Sequence, residues 1–372
     1  MSPQRVICLL GRRDEPTDAV EEYCQHLAEA LATHSFQTEI RRVPWNQHGW
    51  AASLDALRLQ SESWSGVWVL VQYTALAWSS RGFPNRILRV LRVLRKAGAR
   101  IAVVFHDAEP FGGSRLVDHF RRAAQVRAMR SAVARSDRAV FTVPPECLTW
   151  LSRAAENSSF IVVGANLPQP LLPQDHSHLH RPPTVAVFSI TGGAAGDREA
   201  RDIVAAMRLA SGKLGKLRLL IFGRHAELRE DALRQGLRGV SVELSVQGVI
   251  AGDQLVDHFA TSDVLLFLRG TISSRRGSAI AGISCGVPVI GLQGHETAPP
   301  VTGAGVVLLP ERLESPALQS QIAEALVKVL SNHALRSDLI QRSHEAHEQF
   351  FSWPAIASRY AEFLEAWHLL KR

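Results

Sequence analysis

Short runs of β-branched and apolar residues, each followed by a helical pattern, recur along the whole chain. In the first half they fall at 5–10, 38–43, 66–72, 101–105, 139–142 and 160–163, with helical periodicity between them, as at 19–32 and 84–97. Runs that are apolar at every position, rather than at alternate ones, belong to strands buried on both faces. Such strands alternating with helices build a parallel sheet covered on each side by helices. The alternation restarts at 184–190, 218–222, 241–244, 264–267, 287–291 and 305–308. Two Rossmann-like, doubly wound α/β sheets are therefore expected, and 372 residues exceed what one core usually organises.

Between the two series lie Pro168, Pro170, Pro173, Pro182 and Pro183. Each removes a backbone donor and disfavours helix before it, so the stretch reads as a linker. The expected organisation is a first domain at 1–166, a linker at 167–183 and a second domain at 184–351. Two such sheets place ligands at the carboxyl ends of their strands, in a cleft between the domains. From 315 the chain reads as helical, with Ser315 as N-cap and Pro316 in the first turn. A break at 351–354 (FSWP) starts a last helix at 352–372. Its Ile356, Tyr360, Phe363, Leu364 and Trp367 form a stripe that needs a surface to bury it.

No apolar run approaches the roughly 20 residues that span a bilayer. The run at 6–10 is not the apolar core of a signal peptide, so a cytoplasmic protein is expected. Cys8, Cys24, Cys147 and Cys285 are too scattered for the common zinc patterns and form no disulfide framework. Charge is uneven: 81–138 holds fourteen Lys/Arg against four Asp/Glu, a balance of +10 within a net +7. That zone suits an anionic membrane surface or a phosphorylated acceptor. No nucleic-acid-binding signature accompanies it, and nucleic acid is not an expected partner.

The segment 271–291, TISSRRGSAIAGISCGVPVIG, carries the most chemistry. It reads as a loop after a strand, a helix starting near Gly277 and a further strand after Gly286. A helix N-terminus offers unpaired backbone N–H groups and partial positive charge, which suit a phosphate. Ser273, Ser274, Gly277 and Ser278 would supply small polar contacts, and Arg275 and Arg276 full charges. A solvated basic loop in front of an ordinary helix is the plainer alternative.

Several pieces now resemble one family in the right order: RVICLLG with LAEAL, FHD at 105–107, VGANLP at 163–168, QGVIAGDQLVDHFATSDVLLFL at 247–268, AGISCGVPVIG at 281–291 and FSWPAIASRYAEFL at 351–364. Together they resemble the retaining nucleotide-sugar glycosyltransferases of the GT-B fold, glycosyltransferase family 4. The resemblance implies transfer of a hexosyl group from a UDP- or GDP-linked sugar to a glycan or lipid-linked hydroxyl, without cofactor or metal. It also implies a last helix that crosses back onto the first domain. His106 matches the family's histidine that contacts the transferred sugar. From its place after a strand it suits either a hydrogen bond to a hydroxyl or a proton relay.

The sequence departs from the family where two glutamates are usual: Ser273 and Ala281 occupy those positions. The usual Arg…Lys pair is replaced by ITGGAAGDR, in which Gly192 and Gly193 offer backbone donors. Either the 273–278 segment has taken over the diphosphate, with Arg276 and His106 as catalytic groups, or the chain is a degenerate nucleotide-binding scaffold. No G-x-G-x-x-G follows an expected strand, which argues against dinucleotide chemistry.

Loops of the first domain are the candidates for the acceptor. GRRDEPT at 11–17 supplies Arg12, Arg13 and Asp14, and QYTALAWSSR at 72–81 supplies Tyr73, Trp78 and Arg81, suited to sugar stacking and phosphate contact. The helix at 84–97 sets Ile87, Leu88, Leu91 and Leu94 against five cations. It can lie in a bilayer interface or pack its apolar face on the sheet.

Overall fold

The computed structural model describes residues 3–15, 17–151, 156–167, 181–311 and 314–369, and the side chains through 365. The expected linker and the side chain of Trp367 lie largely or wholly outside these. The chain forms two units: residues 1–163 with 353–372, and residues 164–352.

The first unit starts with Gln4–Leu10 (β1), Ala19–Ala32 (α1), Phe36–Arg42 (β2), and two helices, Trp45–His48 (α2) and Trp50–Ser61 (α3). It continues through Trp68–Tyr73 (β3), Ile87–Lys96 (α4), Arg100–Phe105 (β4) and Leu116–Arg135 (α5). Arg138–Phe141 (β5) and Ser158–Phe160 (β6) complete the sheet. The strands lie in the order β2-β1-β3-β4-β5-β6, every pair parallel. Each residue of β3 is buried, and Val69, Val71, Tyr73, Phe105, Phe141 and Trp150 belong to one apolar cluster. The unbroken apolar runs are thus those of strands sandwiched between helices.

Helix α4 takes the second of its two expected roles and packs on the sheet. Ile87, Val90, Leu91, Val93 and Leu94 are all buried in the same cluster as the sheet. Its apolar face packs inside the unit, with Leu88 half-buried, and its arginines and Lys96 remain for an outside surface.

The second unit runs Thr184–Phe188 (β7), Gly193–Leu214 (α6), Leu217–Phe222 (β8), Glu230–Gly236 (α7), Val242–Val246 (β9) and Gly252–Ala260 (α8). It continues Val264–Thr271 (β10), Gly277–Ser284 (α9), Val289–Gln293 (β11), Val306–Pro310 (β12), Ser315–Ser331 (α10) and His333–Ala346 (α11). The order is β12-β11-β10-β7-β8-β9, again all parallel. Strand β10 runs past the expected end at 267: between Phe267 and Thr271 its pairing with β11 shifts register, and Gly270 takes a φ of +83°. Glu314, not Ser315, is the N-cap of α10.

The last helix, Trp353–Leu369 (α12), belongs to the first unit. A π-turn at His347–Phe351 and the extended Ser352 precede it. Ile356, Tyr360, Phe363 and Leu364 are buried. The Tyr360 and Tyr23 hydroxyls are 3.1 Å apart, Trp68 Nε1 donates to the Leu364 carbonyl at 3.3 Å, and Trp353 stacks on His26.

Candidate functional site

In an open parallel sheet, ligands collect where the strand order reverses direction, because loops diverge there and leave a crevice. The first sheet reverses between β1 and β3, the second between β7 and β10. Both crevices are lined by polar residues, and each belongs to its own unit.

In the first unit a cavity of about 230 Å³ opens at that point, lined by Gly11, Arg12, Asp14, Asp18, Gln72, Thr74, Leu76 and Asp107 among others. Gly11 is required there: Arg12 N donates to the Ala77 carbonyl at 2.8 Å, and a Cβ on Gly11 would overlap that carbonyl oxygen. Asp18 caps α1 by accepting from Val20 N and Glu21 N and is held by Arg42 at 3.1 Å. A carboxamide, a hydroxyl, carboxylates and an arginine around one cavity suit a polyhydroxylated ligand.

Of the expected acceptor residues, Arg12 and Asp14 line this cavity. Arg13 points to Glu21, 3.6 Å away, and Arg81 is exposed on a loop whose carbonyl accepts from Arg121. Tyr73 and Trp78 are corrections: both are fully buried, Tyr73 as the last residue of an all-buried strand. They support the sheet and offer no stacking surface.

His106 is joined to the cavity by Gln72, whose Oε1 lies 2.7 Å from Nε2. Its ring meets Tyr23 edge-on at 4.9 Å. Burial pushes its pKa down to about 4, against a smaller upward pull from Asp18. At neutral pH the ring is therefore uncharged, a partner for hydroxyls and not an efficient proton relay.

In the second unit, Gly192 is the N-cap of α6 without any side-chain cap, and Gly193 adopts a φ of +64° with open space where a Cβ would stand. No side chain thus caps the first backbone N–H groups of α6. Glu199 folds back from α6 and accepts from Thr191 N at 2.9 Å. Burial raises its pKa, while Thr191 and Arg269 pull it down. Arg269 lies on the irregular end of β10, its pKa lowered by burial and by Arg224 and raised by Glu199. Arg224 follows β8, its N–H donating to Ser189 Oγ at 3.1 Å. The switch point therefore gathers a helix N-terminus, a glycine pair, Arg224, Arg269 and Glu199, and Arg229 donates to the Gly193 carbonyl at 2.9 Å.

The 273–278 segment sits differently from its expectation. Ser273 and Ser274 are buried. Ser273 Oγ donates to Glu296 at 3.3 Å, and Arg275 grips the same carboxylate with Nε and Nη2 at 2.8 and 2.9 Å. The charge of Arg275 is thus neutralised inside the unit, which corrects its assignment to a diphosphate. Arg276 is the N-cap of α9, and its guanidinium lies near Gly270, 3.5 Å from where a Cβ would be. Gly277 and Ser278 open α9 as expected.

Arg224, Arg269, Glu199 and Glu296 escaped the sequence reading. A cation directly after the apolar run VLLFL, and another after the strand-ending Gly223, were the available signals. Glu296 has no such signal, because its partner is twenty-one residues away.

The fold is that of GT-B glycosyltransferases. Over 98% of this chain and 99% of the other, it is similar to a glycosyltransferase from Rickettsia africae, with a TM-score of 0.67 and 11% identity. It is also similar to Anabaena HepE in complex with UDP and glucose, over 98% of this chain and 100% of that one, with a TM-score of 0.63 and 14% identity. The pneumococcal O-GlcNAc transferase GtfA, in complex with UDP and GlcNAc, matches over 85% of this chain and 60% of its own, with a TM-score of 0.59 and 14% identity. No family model matches the sequence, and no curated protein does.

Proposed function

We propose that this chain is a glycosyltransferase of the retaining, family 4 kind, moving a hexosyl group from a nucleoside-diphosphate sugar to an acceptor hydroxyl in polysaccharide, glycolipid or other glycoconjugate synthesis. The observation that carries the reading is the second unit's switch point, where Arg269 interacts with Arg224 and with Glu199 of α6, a helix whose N-terminus no side chain caps. A diphosphate is the ligand that such charge and such N–H groups suit. Neighbours of the same fold, HepE and GtfA, hold UDP.

In this reaction the bond from the anomeric carbon to the diphosphate oxygen breaks, and its electrons leave with the diphosphate. Arg224, Arg269, Arg276 and the N-termini of α6 and α9 stabilise that growing charge. The acceptor oxygen bonds to the same face of the sugar, and its proton passes to the departing phosphate. Neutral His106 orients a sugar hydroxyl, and Arg12 and Asp14 hold the acceptor. The reading assigns no cofactor or metal and a cytoplasmic site of action.

A second reading is a degenerate nucleotide-binding scaffold. It is favoured by Ser273 and Ala281 at the usual glutamate positions and by the commitment of Glu296 to Arg275. A thermal-shift panel of UDP-, GDP-, ADP- and TDP-sugars, followed by turnover with the best ligand, separates the two. Stabilisation with glycosyl transfer or donor hydrolysis supports the enzyme. Stabilisation without turnover across donors and acceptors supports the scaffold, and no stabilisation by any nucleotide refutes both.

A further inference from the structure

Nine large hydrophobic side chains are exposed among the described residues, and four of them fall within ten residues: Phe111 at 51%, Leu116 at 80%, Val117 at 46% and Phe120 at 70%. They occupy the loop after β4 and the first turns of α5. At 100° per residue, Leu116, Phe120, Ala123 and Arg127 share the outer face of α5, opposite the buried Asp118, Gln125 and Ala132. Clustering of this kind marks an interaction surface, whereas scattered exposed hydrophobics need no explanation.

The rim is cationic. Arg121 packs over the Phe111 ring at 5.3 Å and pairs with Asp118. Arg122 donates to Thr149 Oγ1 at 3.0 Å, for Arg115 and Arg127 no ion pair is found among the described residues, and Arg122, Arg127 and Arg130 line a shallow trough along the helix. An apolar tip surrounded by unneutralised arginines has the pattern of an interfacial membrane anchor, and its complement is an anionic bilayer. The loop after β4 also leaves the same carboxyl edge of the sheet that carries the Arg12–Gln72 cavity.

We propose that Leu116, Val117 and Phe120 insert into the headgroup boundary of an anionic membrane, with Arg115 and Arg127 meeting lipid phosphates. Docking moves the membrane contact from α4, whose apolar face is buried, to the start of α5. It is independent of the donor reading, because vesicle binding requires no transfer.

Vesicle co-sedimentation of the full chain tests it, using phosphatidylcholine alone and phosphatidylcholine with one third phosphatidylglycerol. The protein is expected to sediment with the mixed vesicles only, and less so as salt rises. The double change Leu116→Ser with Phe120→Ser should weaken partitioning by about tenfold or more. Arg115→Gln and Arg127→Gln should each weaken it by about fivefold. Both side-chain sets are exposed, so an unchanged melting temperature verifies the fold. No sedimentation of wild type, or sedimentation indifferent to the Leu116/Phe120 change, overturns the proposal. So does a dimer in analytical ultracentrifugation that this double change dissolves, which would give the patch to a second copy.

Discussion

Arg275 and Glu296 form a two-pronged ion pair, at 2.8 and 2.9 Å, with Glu296 only 2% exposed. A pair this enclosed is structural: removing one partner strands the other charge away from water. Arg275→Met or Glu296→Gln alone should lower unfolding free energy by about 3 kcal/mol, and the double change Arg275→Met with Glu296→Leu by less than either. Urea titration reads all three. Single losses below about 1 kcal/mol, the range of surface pairs, would show that the pair is not structurally important.

The diphosphate assignment predicts a contrast between arginines. Arg269→Met should weaken UDP or GDP binding by about tenfold to a hundredfold, the worth of a hydrogen bond to a charged group. Arg275→Met should leave the affinity of the folded fraction within about threefold of wild type. Calorimetry in which the two variants lose affinity equally would refute the placement.

Acid should destabilise the first unit. Folding depresses the His106 pKa from 6.5 to about 4, so the unfolded chain binds its proton at a higher pH than the folded chain does. The stability tied to the neutral ring is complete above about pH 6.5 and is lost as pH falls toward 4, at most about 3 kcal/mol. His258, His344 and His347 are depressed by burial with the same sign. Melting temperature measured from pH 7.5 to 4 should fall more steeply for wild type than for His106→Gln, and parallel curves would contradict this.

Glycines at the two switch points differ in what they tolerate. A Cβ at Gly11 or Gly196 would overlap a backbone carbonyl oxygen, of Ala77 and Thr191 respectively. Gly11→Ala and Gly196→Ala should each cost about 1–3 kcal/mol, and Gly196→Ala should also weaken nucleotide binding by displacing Thr191. Gly277 faces open space, so Gly277→Ala should leave the melting temperature unchanged or slightly higher. A destabilised Gly277→Ala would show that this helix start is built differently.

The fold was legible because its strands are buried on both faces, and sandwiched strands such as that at VWVLV (67–71) leave an unbroken apolar signature. The N-terminus of α9 was readable from the small residues around Gly277, and the bounds of α1 from the helical periodicity at 19–32. The site was less legible because polar side chains choose partners through space. Arg275 looked available from its neighbours in sequence but faces Glu296 across a turn. Tyr73 looked like a loop residue, but the strand continues through it. Arg269 acquires its surroundings from a register shift in β10, which no periodicity announces.

Tyr23 and Tyr360 touch across 337 residues of sequence, and α12 closes over α1 only once everything between has been made. At the usual pace of synthesis, roughly 5–20 residues per second, the first sheet waits roughly 10–40 s for its last helix. During that interval the surface around Tyr23 and Trp68 lies open on the ribosome while the second unit emerges. The order of manufacture therefore inverts the order of the domains: the half made second can finish first, and the half made first depends on a chaperone-accessible interval before it becomes complete.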